Sequence, residues 1–405
     1  MRIHLISNLF HPDELAGASL YTDLAYYLRD AGHDVRVTTT FSYYPKWKLR
    51  DEDCGVTVRE ELLDGIPVRR VSMYVPAKPS GKGRMLSDAS FLWSLWRRGR
   101  FAGWTPDVVV TALPMLSECL VQRFQYLFKK VPRLIIVQDF AVEAALELGI
   151  VRLPGAQWFL RAIQRWALTS ADIITTISPL MLQKLQSEVG TRRRTEYLPN
   201  WIHGSLQAEI DRQKQAPPKR DTSRLFYSGN LGVKQGLPDF LSQFNESGVA
   251  GSGWQLEICG GGAERERIAA TASNSAGVQL GDVLEEPSYI TRLLSTTACL
   301  VTQRPGVGAN FLPSKLLPAL ATGTPVLAVC DESSPLAREV VEGDFGEVIT
   351  PGDHRGLKAC LERWRSQPGL VERFQTNALV RSERYSRNTI LPQYEQLFRE
   401  LAGPK

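Results

Sequence analysis

Four loops in this chain bring glycines, and in two cases a lysine, to the end of an apolar run. The stretch RPGVGANFLPSKLLPALATGTPVLA, residues 304–328, leads from a glycine-containing loop into a helix predicted to open at Pro313. Proline suits a first helical turn, where its missing N–H costs nothing. Ser314 and Lys315 then fall in that turn. A hydroxyl, an ammonium and free backbone N–H groups would converge at the positive end of the helix dipole. A lysine there opposes the dipole unless an anion sits beside it. The motif lacks GxxxxGK[ST], so it is not a Walker loop. Pro318, about one turn further on, is expected to shorten or bend the helix.

The other three loops suit an anion or a nucleotide in different ways. YSGNLGVKQGL (227–237) spaces Gly229, Gly232 and Gly236 around Asn230 and Lys234, which suits phosphate oxygens held by backbone donors and a point charge. CGGGAERER (259–267) turns sharply through Gly260, Gly261 and Gly262, and such a backbone can hydrogen-bond the edge of a base. SNLFHPDELAGAS (7–19) ends at a helix start, where Ala16 and Gly17 allow a ligand to approach the backbone closely. It is not a GxGxxG fingerprint, which disfavours an ordinary dinucleotide site. Each loop also has a plain reading as a connection whose lysine is solvated and whose glycines only turn the chain. Asp139, closing IIVQD, is either catalytic or a helix cap, and His11 contacts ligand or caps a turn. His4 and Cys259 read as packed residues.

Stepping outward, the elements that would position these loops are legible as alternating apolar runs and helices. RIHLIS (2–7), a helix over 17–31 stopped by Gly32, and DVRVTTT (34–40) make a βαβ unit. Strands follow at 68–73, 106–113, 133–139, 171–178 and 195–200, with helices near 116–129 and 155–170. Residues 204–222 turn polar and Pro-containing and read as a linker. Strands then resume at 224–230, 254–262, 277–283, 298–304, 324–329 and 346–350. Nearly continuous apolar strands between helices imply parallel sheets covered on both faces. The expectation is an α/β chain of two Rossmann-like, doubly wound domains, with function on the loops after the strands.

Composition narrows the classes. A chain of 405 residues with 43% hydrophobic and 22% charged residues reads as soluble, globular and two-domain. MRIHLISNLF is a poor signal peptide, and no apolar run reaches 18 residues. Six scattered cysteines without CxxC suggest reduced thiols and a cytoplasmic location. Five histidines without HExxH make a protein-built metal site unexpected, and a net charge of +5 is far from a nucleic-acid signature. One segment stands apart. Residues 78–104 place Lys78, Lys82, Arg84, Arg97, Arg98 and Arg100 beside Trp93, Trp96 and Trp104, with Asp88 as the only carboxylate. That mixture suits contact with an anionic membrane surface, or else a helix with its aromatics packed inward.

The loops in this order resemble the retaining glycosyltransferases of family 4, of the GT-B fold. The similarity runs over nearly the whole chain. FSYYPKWK (41–48), YLPNWI (197–202) and YSGNLGVKQGL are similar to the colanic-acid and exopolysaccharide branch. The resemblance implies an N-terminal acceptor domain over 1–203, a C-terminal donor domain over 204–384, and a final helix within 385–405 that returns to the first domain. It implies a nucleotide-diphosphate sugar, UDP- or GDP-linked, as donor substrate, with no other cofactor and no metal. Gly229, Asn230, Lys234, Phe311, Ser314 and Lys315 would hold its diphosphate end. Gly260, Gly261, Asp282 and Val283 would lie at the base, Gly17 at the diphosphate or sugar, and Gln138 and Asp139 at the sugar. The acceptor would be lipid-linked or a glycan, in bacterial surface-polysaccharide synthesis at the inner face of the plasma membrane.

The chain departs from the family's pattern of two glutamates eight positions apart, since Asn310 and Pro318 stand there. Asn310 can still hydrogen-bond a sugar hydroxyl but carries no charge. Asn230 stands where an arginine is frequent. Other readings are a soluble glycosyltransferase with a small or protein acceptor, a nucleotide-sugar epimerase of the same fold, and an inactive binding subunit.

Overall fold

The computed structural model describes the 405-residue chain apart from residues 14–15, 44–46, 78–80, 114, 127–129, 141, 143–155, 191–192, 307–311 and 404–405. Asn310, Phe311 and Lys78, each singled out above, lie outside the described residues. The chain divides into two compact units, Met1–Pro199 with Ile390–Lys405, and Asn200–Thr389.

The N-terminal unit is built on β1 (Arg2–Ile6), β2 (Asp34–Thr40), β3 (Val58–Leu63), β4 (Ile66–Val71), β5 (Val108–Leu113), β6 (Arg133–Val137), β7 (Ile173–Thr176) and β8 (Arg194–Tyr197). Their order across the sheet is β3-β4-β2-β1-β5-β6-β7-β8, parallel except for β3. Its helices are α1 (Ala16–Asp30), α2 (Gly81–Arg98), α3 (Leu116–Gln125), α4 (Ala156–Leu168) and α5 (Pro179–Val189). Strand β5, VVVTAL, is buried at all six positions, as a parallel strand covered on both faces must be. Ile6, Val109, Leu113, Ile135, Val137 and Ile174 share one face by register. Phe91 and Leu95 of α2, Cys119 and Val121 of α3, Leu168 of α4 and Leu185 of α5 belong to the cores on that face.

The β3–β4 hairpin is absent from the sequence reading. VREELL is an edge strand with alternating partial burial, so it offers no apolar run. Its turn places Asp64 and Gly65 at φ 47° and 85°, the left-handed pair that tight hairpins require.

The C-terminal unit carries β9 (Arg224–Ser228), β10 (Gln255–Cys259), β11 (Val278–Gly281), β12 (Ala298–Thr302), β13 (Val326–Val329) and β14 (Gly346–Ile349) in the order β11-β10-β9-β12-β13-β14. Its helices are α6 (Gly204–Lys214), α7 (Leu237–Ser247), α8 (Arg265–Ala272), α9 (Glu286–Ser295), α10 (Leu316–Ala321), α11 (Pro335–Gly343), α12 (His354–Ser366) and α13 (Pro368–Ser382). All pairings are parallel. The strand order reverses between β9 and β12, which is where open α/β sheets bind ligands.

Two expectations are corrected here. Residues 204–214 are helical, not linker. Only Leu206 and Ile210, one turn apart, are buried, and the His203 ring caps the start by accepting from Leu206 N at 3.2 Å. Polar composition hid a helix that buries a single narrow stripe. The second correction concerns the helix expected at Pro313. Helix α10 begins at Leu316, so Ser314 and Lys315 precede it in a turn closed by Leu316 N donating to Pro313 O at 3.0 Å. Pro318 is its third residue, where no intrahelical acceptor is forfeited. The helix is six residues long.

The last helix, α14 (Arg387–Ala402), joins the N-terminal unit from Ile390 onward. Leu391, Tyr394 and Phe398 are fully buried, and Glu395 accepts from Tyr27 Oη at 3.0 Å. Phe398→Ala should therefore cost about 3–5 kcal/mol of unfolding free energy, read from chemical denaturation. A loss under about 1 kcal/mol would mean that α14 is not part of this core.

Candidate functional site

The loop after β9 and the loop after β10 are locked together through glycines. Gly229 sits at φ 133°, Gly260 at 153° and Gly262 at 152°. A Cβ on Gly260 would fall 1.9 Å from Gly229 O, and one on Gly262 would fall 2.5 Å from Leu231 O. Only glycine permits that approach. Backbone bonds then tie the loops, with Gly229 N donating to Cys259 O at 3.0 Å and Leu231 N to Gly261 O at 2.9 Å. Tyr227, buried at the end of β9, donates its hydroxyl to Asn230 O at 2.7 Å.

Lys315 reaches this junction from the turn before α10. Its Nζ lies 3.5 Å from the centroid of the Tyr227 ring, and a Cβ on Gly229 would be 3.5 Å from it. The residue is half-buried, but its ammonium tip is buried and has no hydrogen-bond partner among the described residues. Burial pushes its pKa down to about 7, against a weaker opposing influence from Cys299. An isolated buried ammonium is costly unless an anion or an acceptor pairs it. The ring face of Tyr227 offsets part of that cost. An anion brought against Gly229 would offset the rest.

The remaining residues of this end have defined places. Lys234 is in a single turn, Val233–Gln235, that Gly236 closes at φ 63°, and its carbonyl accepts from Arg304 N at 2.9 Å. The loops after β9 and β12 thus meet at the reversal of strand order. Ser314 is exposed. Arg265, which the sequence reading did not single out, donates to Gly260 O, to Gly281 O at 2.9 Å and to Asp282 at 2.7 Å. It fixes the β10 loop beside Asp282 and Val283. A Cβ on Gly261 would be 3.6 Å from the Val283 side chain, which is otherwise largely exposed. This wall of backbone and one apolar side chain is open to a planar ring. CGGGAERER contained the signal, an arginine five residues past a glycine, but nothing marked it as structural.

In the N-terminal unit the strand order reverses between β1 and β5. The buried carboxylate of Glu118 bridges that point. It accepts from Asn8 N at 2.7 Å and from Ala112 N at 3.2 Å, and burial raises its pKa well above the usual carboxyl range. Gln138 hydrogen-bonds Tyr21 and Asp139 accepts from Phe140 N at 2.8 Å, both just past β6. Asp139 is exposed. Gly17 is the second residue of α1, where a Cβ would press on Leu9 at 3.3 Å. His4 is packed and neutral, bonded to Tyr126 and Thr38, with its pKa lowered by burial to about 3.

A polar cavity of about 340 Å³ lies among His11, Ser42, Arg50, Arg59 and Arg70. Its arginines are matched by Glu52, Asp53 and Glu61 at 3.7, 2.6 and 2.7 Å, so it has no spare positive charge for an anion. Among the described residues no three His, Cys, Asp or Glu side chains group as metal ligands.

The geometry can be set beside known proteins. Residues 17–201 match the family model described as a glycosyl transferase 4-like domain. The chain is 27% identical to the putative colanic acid biosynthesis glycosyl transferase WcaI of Escherichia coli, over 98% of this chain and 95% of that one. Among solved structures it is similar in fold to a sucrose-phosphate synthase from Thermosynechococcus elongatus, at a TM-score of 0.70 and 18% identity, covering 99% of both chains. It is also similar to HepE of Anabaena, solved in complex with UDP, at a TM-score of 0.64 and 15% identity over 98% of this chain and 99% of that one. With two Rossmann-like sheets and a glycosyl transferase 4-like domain matched over residues 17–201, the chain is similar to glycosyltransferases in sequence and in fold.

Proposed function

We propose that the C-terminal unit binds a nucleotide-diphosphate sugar at the junction of the β9, β10 and β12 loops. The observation that carries this is the buried ammonium of Lys315, without a hydrogen-bond partner among the described residues, against a glycine whose backbone admits close approach. In this reading Lys315 pairs the diphosphate, with Lys234, Gly229, Asn230 and Ser314 around it, and Phe311 from the same segment. The base rests on Gly260, Gly261 and Val283. The crystallised complex of HepE with UDP supports a uridine donor by similarity of fold alone.

The chemistry we infer is glycosyl transfer with retention. The acceptor hydroxyl bonds to the anomeric carbon on the face the diphosphate leaves, and its proton passes to a donor phosphate oxygen. Lys315 stabilises the charge that accumulates on the leaving diphosphate. No metal is invoked, because a lysine and backbone donors already meet that charge. Gln138, Asp139, Gly17 and Asn310 are assigned to the sugar by the family resemblance.

The acceptor we assign is lipid-linked or a glycan, in bacterial surface-polysaccharide synthesis at the inner face of the plasma membrane. The names of the relatives support this: WcaI in colanic acid biosynthesis, and WaaG, a fold neighbour, in lipopolysaccharide biosynthesis. No helix among the described residues is long and apolar enough to cross a membrane, so contact would be peripheral. Within 78–104, Trp93 and Trp96 point outward, while Phe91, Leu95 and Phe101 are buried. Trp104 donates to Asp34 at 2.7 Å. The segment is thus part core and part outward surface.

Donor class is tested by thermal shift with UDP, GDP, ADP, TDP and CMP, with and without Mg²⁺. A diphosphate at a hundred times its dissociation constant adds about 2.7 kcal/mol of stability. A shift by one diphosphate, unchanged by Mg²⁺, is expected. No shift with any of them overturns the assignment. Lys315→Met should weaken that diphosphate roughly ten- to a hundredfold, the worth of a charged hydrogen bond, and Lys234→Ala should weaken it less.

The depressed pKa of Lys315 gives a second readout. A bound diphosphate favours the ammonium, so affinity is full below about pH 7. It should fall by up to tenfold per pH unit above that. Lys315→Arg, which stays charged, should remove the slope. Calorimetry across pH 6.5–9 decides it, and a flat wild-type profile would place the anion elsewhere.

A further inference from the structure

The polar cavity of the N-terminal unit has a build that ion pairing alone does not explain. It measures about 340 Å³, within the range of small-ligand pockets. Its walls come from the carboxyl ends of three strands. Ser42 follows β2, Arg70 is the penultimate residue of β4, and His11 belongs to the loop after β1. Open α/β sheets bind their ligands on that side.

Arg59 and Arg70 stand directly opposite each other in the β3–β4 register. Like charges so placed repel. Each is answered by its own carboxylate, with Asp53 Oδ1 at 2.6 Å from Arg59 and Glu61 Oε1 at 2.7 Å from Arg70. The side chains of Arg70 and Asp53 are only 6% and 5% exposed. Burying such pairs brings little stability of its own. Arg70 also donates to Thr40 O at 3.1 Å and to His11 O at 2.6 Å, so it fixes the β2 exit and the β1 loop as two walls. Among the described residues nothing donates to Asp53 Oδ2 or Glu61 Oε2.

We propose that this cavity seats an uncharged sugar ring of the acceptor. A sugar hydroxyl both donates and accepts, and a guanidinium N–H beside a carboxylate oxygen offers it both partners in charge-assisted form. The three arginines and three carboxylates of the lining leave no net charge. A uronate or a phosphate would bring its own anionic oxygens against Oδ2 and Oε2, whereas a hydroxyl donates to them. Leu62, exposed at the rim, gives the apolar face of a ring something to rest on. The inference rests on the glycan reading of the acceptor and narrows it to a sugar without an acidic group at this position.

The test is a ligand-observed NMR titration of the full chain. The probes are the methyl glycosides of glucose, galactose, mannose and fucose, methyl glucuronoside, and glucose 1-phosphate. At least one neutral glycoside is expected to bind, and more tightly than either anion. Glu61→Gln keeps the shape of the side chain and leaves Arg70 its charge. It should weaken the neutral glycoside roughly tenfold, the worth of a hydrogen bond to a charged group, and improve the glucuronoside. Arg50→Ala, on an exposed side chain, serves if Glu61→Gln does not fold. It should weaken the same glycoside with nucleoside-diphosphate affinity unchanged. An anion that binds more tightly than every neutral glycoside overturns the assignment. A neutral glycoside that binds wild type and both variants alike is seated elsewhere, which also overturns it, as does binding by none of the probes. Transfer of labelled sugar from the donor to extracted lipid or glycan is scored separately, so the acceptor reading can stand while this one falls.

Discussion

The loop junction of the C-terminal unit depends on one steric fact. The space a Cβ would take at Gly260 is filled by the carbonyl oxygen of Gly229. Two strand-end loops can therefore lie in contact, and the hydrogen bonds between them follow from that contact. Lys315 is brought against the outside of this junction, and Arg265 braces its other side. Without the glycines the loops would separate by the width of a methyl group, and neither side chain would keep its place. Such rigidity is what a binding site for a flexible diphosphate needs, since ordering then falls on the ligand alone.

The electrostatics follow the same plan. Several cations of the C-terminal unit answer a carboxylate, as Arg381 does Glu339 at 2.7 Å and Arg373 does Asp344 at 3.0 Å. Lys315 meets an aromatic face instead. A guanidinium pairs planar carboxylates well, whereas a compact ammonium can sit over a ring and still turn toward an incoming oxygen. The N-terminal unit shows the reverse arrangement at its own strand reversal. There a buried acid, Glu118, joins two strand ends through their N–H groups. The first reversal point carries a buried ammonium, and the second is closed by a negative side chain.

Much of the fold was legible because parallel strands buried on both faces must be written as apolar runs. DVRVTTT, PDVVVTAL and RLIIVQD are such runs, and each contains a strand. Elements that bury only a stripe escaped. Strand β3 alternates at an edge, and α6 hides two apolar residues among nine others. At the site, the glycines and lysines could be picked out by type and spacing. Their environment could not. Nothing in the letters PSKLL distinguishes a solvated lysine from one with a buried tip, because the ring that covers it is 88 residues away at Tyr227. The helix expected near 155–170 is there as α4, but its exposed aromatics could not be read, for the opposite reason. Its apolar residues imply a core face, and only the folded sheet shows that Trp158 and Phe159 are left outside.

The chain's final helix has a consequence for how the protein is made. Unit one is interrupted at Pro199 and completed only from Ile390. At roughly 5–20 residues per second, about 10–40 s of synthesis separate the two pieces. During that interval the surface that will receive Leu391, Tyr394 and Phe398 is uncovered, while residues 200–389 emerge as a compact unit in their own right. The inserted unit can therefore mature on the ribosome before the one that precedes it in sequence. A chain cut just before Ile390 would keep residues 200–389 and leave the first unit without its last core helix.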